Sequence, residues 1–264
     1  MIHVQNIIKY FHKGSINEVL ALDNITLEVK PGDFITIIGS NGAGKSTLLN
    51  CIAGSFLPDF GTLSLDDQTI TKWPEHKRAR YIGRVFQDPL LGTCGSLSIE
   101  QNLALARRRG QSRGLKRGVT SDDRATFRRE LKQLGLGLED RLRDKVGLLS
   151  GGQRQALTML MATMLHPELL LLDEHTAALD PKTGHMILDL TESLVDRLRL
   201  TTLMVTHNMH QALNMGNRLV MLHQGRIILD IEGQEKKSYQ VPDLLARFYE
   251  LKGESFPSDR MLLS

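Results

Sequence analysis

Gly39-Ser40-Asn41-Gly42-Ala43-Gly44-Lys45-Ser46-Thr47 has the form G-x-x-x-x-G-K-[ST], and its flanks decide how it folds. The apolar, β-branched stretch Phe34-Ile35-Thr36-Ile37-Ile38 leads into it as a buried strand. After it, Ser46 to Ala53 places Leu48, Leu49 and Ile52 on one face of a helix. Strand, glycine turn and helix start, in that order, make a loop that cradles phosphate. Gly39, Gly42 and Gly44 let backbone N–H groups turn inward without a Cβ in the way. The helix beginning near Gly44 adds unpaired amides and the positive end of its dipole. Lys45 brings a full charge to the outer phosphates, and the Ser46 hydroxyl is suited to ligate Mg²⁺. The run implies a bound nucleotide.

The rest of the 264 residues sets the frame. That length holds one large domain or two small ones, with ample core. Hydrophobic residues at 41% and charged residues at 24% are the proportions of a globular protein. A net charge of +3 is too small to argue for nucleic acid. The two cysteines, Cys51 and Cys94, have no paired spacing, which excludes a disulfide framework or zinc site and suits a reducing compartment. The N-terminal Met1-Ile2-His3-Val4-Gln5-Asn6 shows no basic region followed by an apolar one, so no signal peptide is expected. The most apolar run, Leu169 to Leu172, is closed by Glu168 and Asp173, far short of a membrane span. The expectation is a cytoplasmic chain, with any membrane role coming through a partner.

Ile2 to Ile8 and Leu22 to Val29 alternate apolar and polar residues as half-exposed strands. Lys30-Pro31-Gly32-Asp33 is a turn, and Thr62 to Leu65 reads as a further strand. These strands around the phosphate loop predict an antiparallel sheet beside a parallel one. Tyr81 to Phe86 reads as a buried strand ending at Gln87. From Ile99 to Met164 the periodicity is helical, with loops at 110–114 and 135–137, and Ser121-Asp122-Asp123 is read as the cap of a helix running through Leu134. Between Arg107 and Lys132 stand ten Lys/Arg against three Asp/Glu, read as a solvated face, with anionic lipid headgroups as the alternative. Strands return at Leu169 to Leu172 and Thr202 to Val205, bridged by the amphipathic Ile187-Leu190-Leu194-Leu198, which makes this half α/β with a parallel sheet. Leu219 to Leu222 and Ile227 to Ile231 form a hairpin around Gly225, Val241 to Leu251 forms a last helix, and the tail after Gly253 is expected to fray.

Leu169-Leu170-Leu171-Leu172-Asp173-Glu174 is a buried strand ending in two carboxylates, the first suited to orient a Mg²⁺ shell and the second to polarise a water. Leu149-Ser150-Gly151-Gly152-Gln153 precedes a helix from about Arg154 to Leu165 that Ser150 can cap. Gln87 and His207, each after a strand, say little alone.

Taken together, the phosphate loop, Gln87, Leu149 to Gln153, Leu172-Asp173-Glu174, Ala178-Leu179-Asp180 and His207 resemble, in order and spacing, the ATP-binding cassette (ABC) nucleotide-binding domain, from about Ile2 to Ile231. The resemblance implies an α/β P-loop NTPase core with a mainly parallel sheet, an antiparallel β subdomain and an inserted α-helical subdomain. It implies one nucleotide-binding domain with its core at residues 1–87 and 167–232, helical subdomain at 88–166, and C-terminal helix and tail at 233–264. By the same likeness Gly39 to Thr47 hold the phosphates of ATP, Phe11 or its neighbour Tyr10 stacks on adenine, and Ser46, Gln87 and Asp173 serve Mg²⁺. Glu174 is then the general base or the residue that polarises the water, and His207 touches the γ-phosphate and ties it to Glu174. Ser150, Gly151, Gly152 and Gln153 contact ATP held by a second copy, head to tail, and Asp180 lies in the loop that crosses the dimer. Two departures stand out: His175 where members commonly have proline, and Ala156 where many have arginine.

The implied function is the ATPase subunit of an ABC transporter at the inner face of the cell membrane. Its partners would be permease subunits docking along about Asp88 to Leu103, with Lys145-Val146-Gly147 reporting on the partner site. The stretch from Asp173 to Asp180 resembles an import subgroup associated with amino-acid uptake, which would add a substrate-binding protein. The alternatives are a lipoprotein-releasing or efflux ATPase, or a soluble ABC ATPase working on ribosomes or DNA. The last usually carries two cassettes or a long coiled-coil insertion, neither of which is here.

Overall fold

The computed structural model describes residues 1–111 and 118–252, the last two by backbone alone. Within these bounds the chain forms β1 (Ile2–Phe11), β2 (Val19–Val29), β3 (Phe34–Gly39), α1 (Lys45–Ala53), β4 (Phe60–Leu65), β5 (Gln68–Thr69), α2 (Glu75–Arg78) and β6 (Ile82–Val85). A helical stretch follows with α3 (Ile99–Arg107), α4 (Ser121–Lys132) and α5 (Gly151–Thr163). The chain then returns to β7 (Leu169–Asp173), α6 (Pro181–Leu198), β8 (Thr202–Val205), α7 (Met209–Asn214), β9 (Arg218–His223), β10 (Arg226–Glu232), α8 (Gly233–Ser238) and α9 (Val241–Lys252).

Two sheets organise these elements. One runs β2-β1-β4-β5, antiparallel throughout. The other runs β10-β9-β3-β8-β7-β6; its strands are parallel except for the β9–β10 hairpin. Continuous apolar strands signal a sheet buried on both faces, and β7 shows why. Leu169 and Leu171 point into a core shared with α1 and the antiparallel sheet. Leu170 and Leu172 point the other way, onto Met159 of α5 and Leu194 and Val195 of α6. Helix α1 is therefore sandwiched between the sheets, with Leu48, Leu49 and Ile52 fully buried.

The helical stretch has its own apolar centre around Ile99, Leu103, Phe127, Leu131, Leu157 and Leu160. Met159 is buried, while Met161 and Met164 pack at the margin of that centre, which makes the methionine face core packing. The C-terminal segment packs on the core through Leu244, beside Ala212, Met221 and Ile231. Among the described residues no helix is long and apolar enough to cross a membrane.

Several expectations need correction. The cap of α4 is Thr120, not Ser121: its hydroxyl accepts from the Asp123 amide and the Asp123 carboxylate accepts from the Thr120 amide. That helix stops at Lys132 rather than Leu134. Helix α5 starts at Gly151, three residues before Arg154, because Ser150 caps it with Gln153 closing the box. Part of the basic excess is neutralised internally, by Arg107 on Asp123 and by Arg124 in two bonds to Glu100, at 2.7 and 3.1 Å. Arg113, Lys116 and Arg117, most of the 110–114 loop and the tail after Gly253 lie outside the described residues.

Candidate nucleotide site

Parallel strands deliver their carboxyl ends to one edge, and ligands of open α/β sheets sit there. Strands β3, β8, β7 and β6 are neighbours in that order. Their ends release, respectively, the phosphate loop, His207, Asp173-Glu174 and Gln87. Four stretches as much as 168 residues apart in sequence (Gly39 to His207) thus meet because of strand order alone.

The loop turns sharply at Gly39. A Cβ there would lie 2.2 Å from the Leu222 carbonyl oxygen of β9. Gly44, with φ of +99°, precedes α1, and no side chain caps that helix. Its first amides are left to face the loop. The Lys45 ammonium donates to the carbonyls of Gly39 (2.8 Å) and Ser40 (3.0 Å). Burial lowers its pKa, opposed by the charges of Glu174 and Asp173. The Ser46 hydroxyl donates to Asp173 Oδ1 at 3.1 Å. Burial raises the Asp173 pKa, and the Ser46 bond and the Arg84 charge work against that rise. Arg84 Nη2 stands 3.8 Å from Asp173 Oδ2.

Glu174 has a φ of +45°, uncommon for a side-chain-bearing residue, with its amide donating to the Val205 carbonyl of β8. His207 Nδ1 lies 3.5 Å from Glu174 Oε2. Gln87 is exposed and lines a cleft of about 630 Å³ with Asn50, Arg84, Phe86, Leu91 and Asp173. Directly after Glu174, His175 is 2% exposed and bonds Thr191 of α6 at 3.0 Å. Burial holds its pKa down at about 4, so the ring is neutral near pH 7.

Among the described residues, Ser150, Gly151, Gly152 and Gln153 make no hydrogen bond or ion pair with this group; Ser150 and Gln153 bond each other. Gly151 and Gly152 lie against Leu179 and Thr183, at and before the first turn of α6. Asp180 caps that turn, accepting from the Thr183 amide at 3.1 Å. Phe11 meets Phe56 edge to face at 5.3 Å, whereas Tyr10 sits under the Lys13 ammonium at 5.0 Å. Both aromatic rings are half-buried.

Two arginines escaped the sequence reading. Arg78, 1% exposed, donates to the carbonyls of Cys51 and Ile52 at the end of α1 and to those of Thr71 and Trp73. Nothing distinguishes it within Lys77-Arg78-Ala79-Arg80. Arg84 did carry a signal, as a charge inside an otherwise buried strand.

Residues 22–177 match the family model of the ABC transporter. The chain is 43% identical over 248 residues to a tyrosine transport ATP-binding protein of Clostridioides difficile (strain R20291), covering 94% of this chain and 98% of that protein. It is 33% identical to the methionine import ATP-binding protein MetN of Streptococcus agalactiae serotype Ia, over 90% of this chain and 67% of MetN. Among solved structures, a dimeric post-hydrolysis ATP-binding cassette bound to ADP and Pi aligns with a TM-score of 0.74. The identity is 30%, over 88% of this chain and 98% of that one. Phosphate loop, paired carboxylates and histidine at one sheet edge agree with these matches: the chain belongs to the ABC transporter family, as an ATP-binding, ATP-hydrolysing subunit.

Proposed function

We propose that this chain powers import of a small solute, an amino acid in particular, by closing with a second copy around two ATP molecules and driving a membrane permease. The observation that carries it is the meeting of Lys45, Ser46, Asp173, Glu174 and His207 at the carboxyl ends of adjacent strands. The import direction and the substrate class rest on the tyrosine and methionine transport relatives. The dimer rests on the cassette dimers among the structural relatives. A substrate-binding protein belongs with an importer.

In this reading Lys45 leaves its loop carbonyls for the β- and γ-phosphates, which gain charge-assisted bonds from it and from the loop amides. The Ser46 hydroxyl, the Asp173 carboxylate and the Gln87 amide form an all-oxygen donor set, the kind that suits Mg²⁺ arriving with phosphate. That ion would neutralise charge building on the phosphates. Glu174 draws a proton from the attacking water, and His207 holds Glu174 and meets the γ-phosphate. Ser150 to Gln153, whose glycines lie against Leu179 and Thr183, serve the ATP of the other copy. Phe11 or Tyr10 takes the adenine. The permease docks along Asp88 to Leu103, where Leu90 and Leu91 are exposed and Leu91 lines the Gln87 cleft.

Co-purification of the tagged chain from solubilised membranes tests this. A multi-span permease of an amino-acid importer is the expected companion. An efflux permease would reverse the direction, and ribosomal proteins or DNA without any membrane protein would overturn the transport reading.

A further inference from the structure

His175 does something a proline in its place does not. Its ring is buried against α6, and Nε2 stands 3.0 Å from the Thr191 hydroxyl oxygen. Thr191, itself fully buried, spends its own proton on the Ile187 carbonyl one turn back, at 2.7 Å. The hydroxyl has one proton, so Nε2 must be the donor in the His175 contact, which sets the tautomer.

The residue this bond follows in sequence is Glu174, whose left-handed backbone persists only where its surroundings over-determine it. On one side the Glu174 amide is held by the Val205 carbonyl of β8. On the other, the Ala177 amide donates to the Glu174 carbonyl, and Thr176 lies over Gly184 of α6. The His175 bond is the one directional side-chain link described between this turn and the body of α6.

Helix α6 is also in contact with the Ser150 turn. A Cβ on Gly152 would come within 2.2 Å of Thr183 Cγ2, so the two are packed without slack. From Thr183 to Thr191 is two turns, about 12 Å of rigid helix.

We propose that His175 is a positioning residue that makes the placement of Glu174 follow α6, and through it the Ser150–Gln153 turn. This rests on the role proposed above for Glu174 and on that turn serving the ATP of a second copy. A copy whose turn is engaged then has its own Glu174 aligned, and the two sites of the dimer report to each other through Gly152, Thr183, Thr191 and His175.

The test separates the hydroxyl from the volume of Thr191. Thr191→Val keeps the volume and removes the acceptor; Thr191→Ser keeps the acceptor and loses a methyl group. Thr191→Val should lower kcat about tenfold with KM for ATP and affinity for ATP unchanged, since small misplacements of a catalytic group act on turnover. Thr191→Ser should stay within about twofold of the parent kcat, even with a lower melting temperature. His175→Leu should match Thr191→Val, and the double variant should be no slower than either single, because both cut one link. Equal kcat losses in Thr191→Val and Thr191→Ser, an unimpaired Thr191→Val, or multiplied losses in the double variant would overturn the inference. Glu174→Gln is measured alongside. If it keeps full turnover, the role of Glu174 itself fails; if it is inactive while Thr191→Val is unimpaired, only the tether fails.

Discussion

Two alanine substitutions, three residues apart in the phosphate loop, separate backbone shape from glycine content. Gly39 and Gly42 both have positive φ, at +152° and +78°. Around Gly42 nothing lies within 4 Å of an added Cβ, so Gly42→Ala meets only the left-handed backbone penalty, ~1 kcal/mol. At Gly39 the added carbon comes to 2.2 Å from the Leu222 carbonyl oxygen, more than an ångström inside ordinary contact. Leu222 cannot retreat, because β9 is paired to β3 on one side and β10 on the other. Ala43 Cβ, at 3.2 Å, closes the remaining direction. The overlap and the backbone strain together cost ~3 kcal/mol or more, carried either by the loop or by β9. At 1.4 kcal/mol per decade, the affinity for ATP falls about 100-fold if the loop yields. If β9 yields, the loss appears as unfolding free energy. Titration with a fluorescent ATP analogue and urea unfolding of both variants measure the two parts. The summed loss should be at least twice as large for Gly39→Ala. Equal sums would refute the claim that the loop's shape is set by its approach to β9.

Glu174→Gln is expected to bind ATP as the parent does, lose turnover by about 100-fold or more, and persist as a dimer in ATP on size exclusion; full turnover would remove Glu174 from the chemistry. Lys45→Ala removes the buried ammonium of the loop, so ATP affinity by calorimetry should fall by ~2 kcal/mol or more. Arg78→Met strips four carbonyls of their donor, two of them at the end of α1, and should cost ~3–5 kcal/mol in urea unfolding. A loss below ~1 kcal/mol would deny it that anchoring role. Burial lowers Lys236 from 10.5 to about 8, where it donates to the Met215 and Gly216 carbonyls. Between those values the unfolded chain keeps a proton that the folded chain releases, so this group makes stability rise with pH. Relative to Lys236→Met, the parent should gain up to ~3 kcal/mol between pH 8 and 10.5, and parallel stability curves would disprove the shift.

What could be read from the residues alone was what repeats or punctuates. The Phe34-to-Ile38 run, the glycines and the Leu48-Leu49-Ile52 spacing located β3, the loop and α1 because each leaves a local mark. Leu169 to Leu172 announced a strand with two covered faces, and its two faces are covered. Short elements left no such mark: β5, α2, α7 and α8 have two to six residues, fewer than a period needs to show itself. Nor does a window of sequence show strand order, and strand order is what brings His207 beside Glu174.

The residues that hold the site in place were the hardest to see. Arg78 and His175 act through carbonyls and a hydroxyl that are distant in sequence, so no spacing rule identifies them. His175 was visible only as a departure from proline, without a hint of its partner. Its meaning depends on a tautomer set by Thr191, and Thr191 in turn is oriented by Ile187 one turn back on the same helix. Motifs record which groups touch phosphate, because phosphate imposes the same geometry on every loop that holds it. The supports behind those groups answer only to local packing, which any sequence is free to solve differently. A chain can thus keep the paired carboxylates of its family and still tie the second of them to the fold by a route of its own.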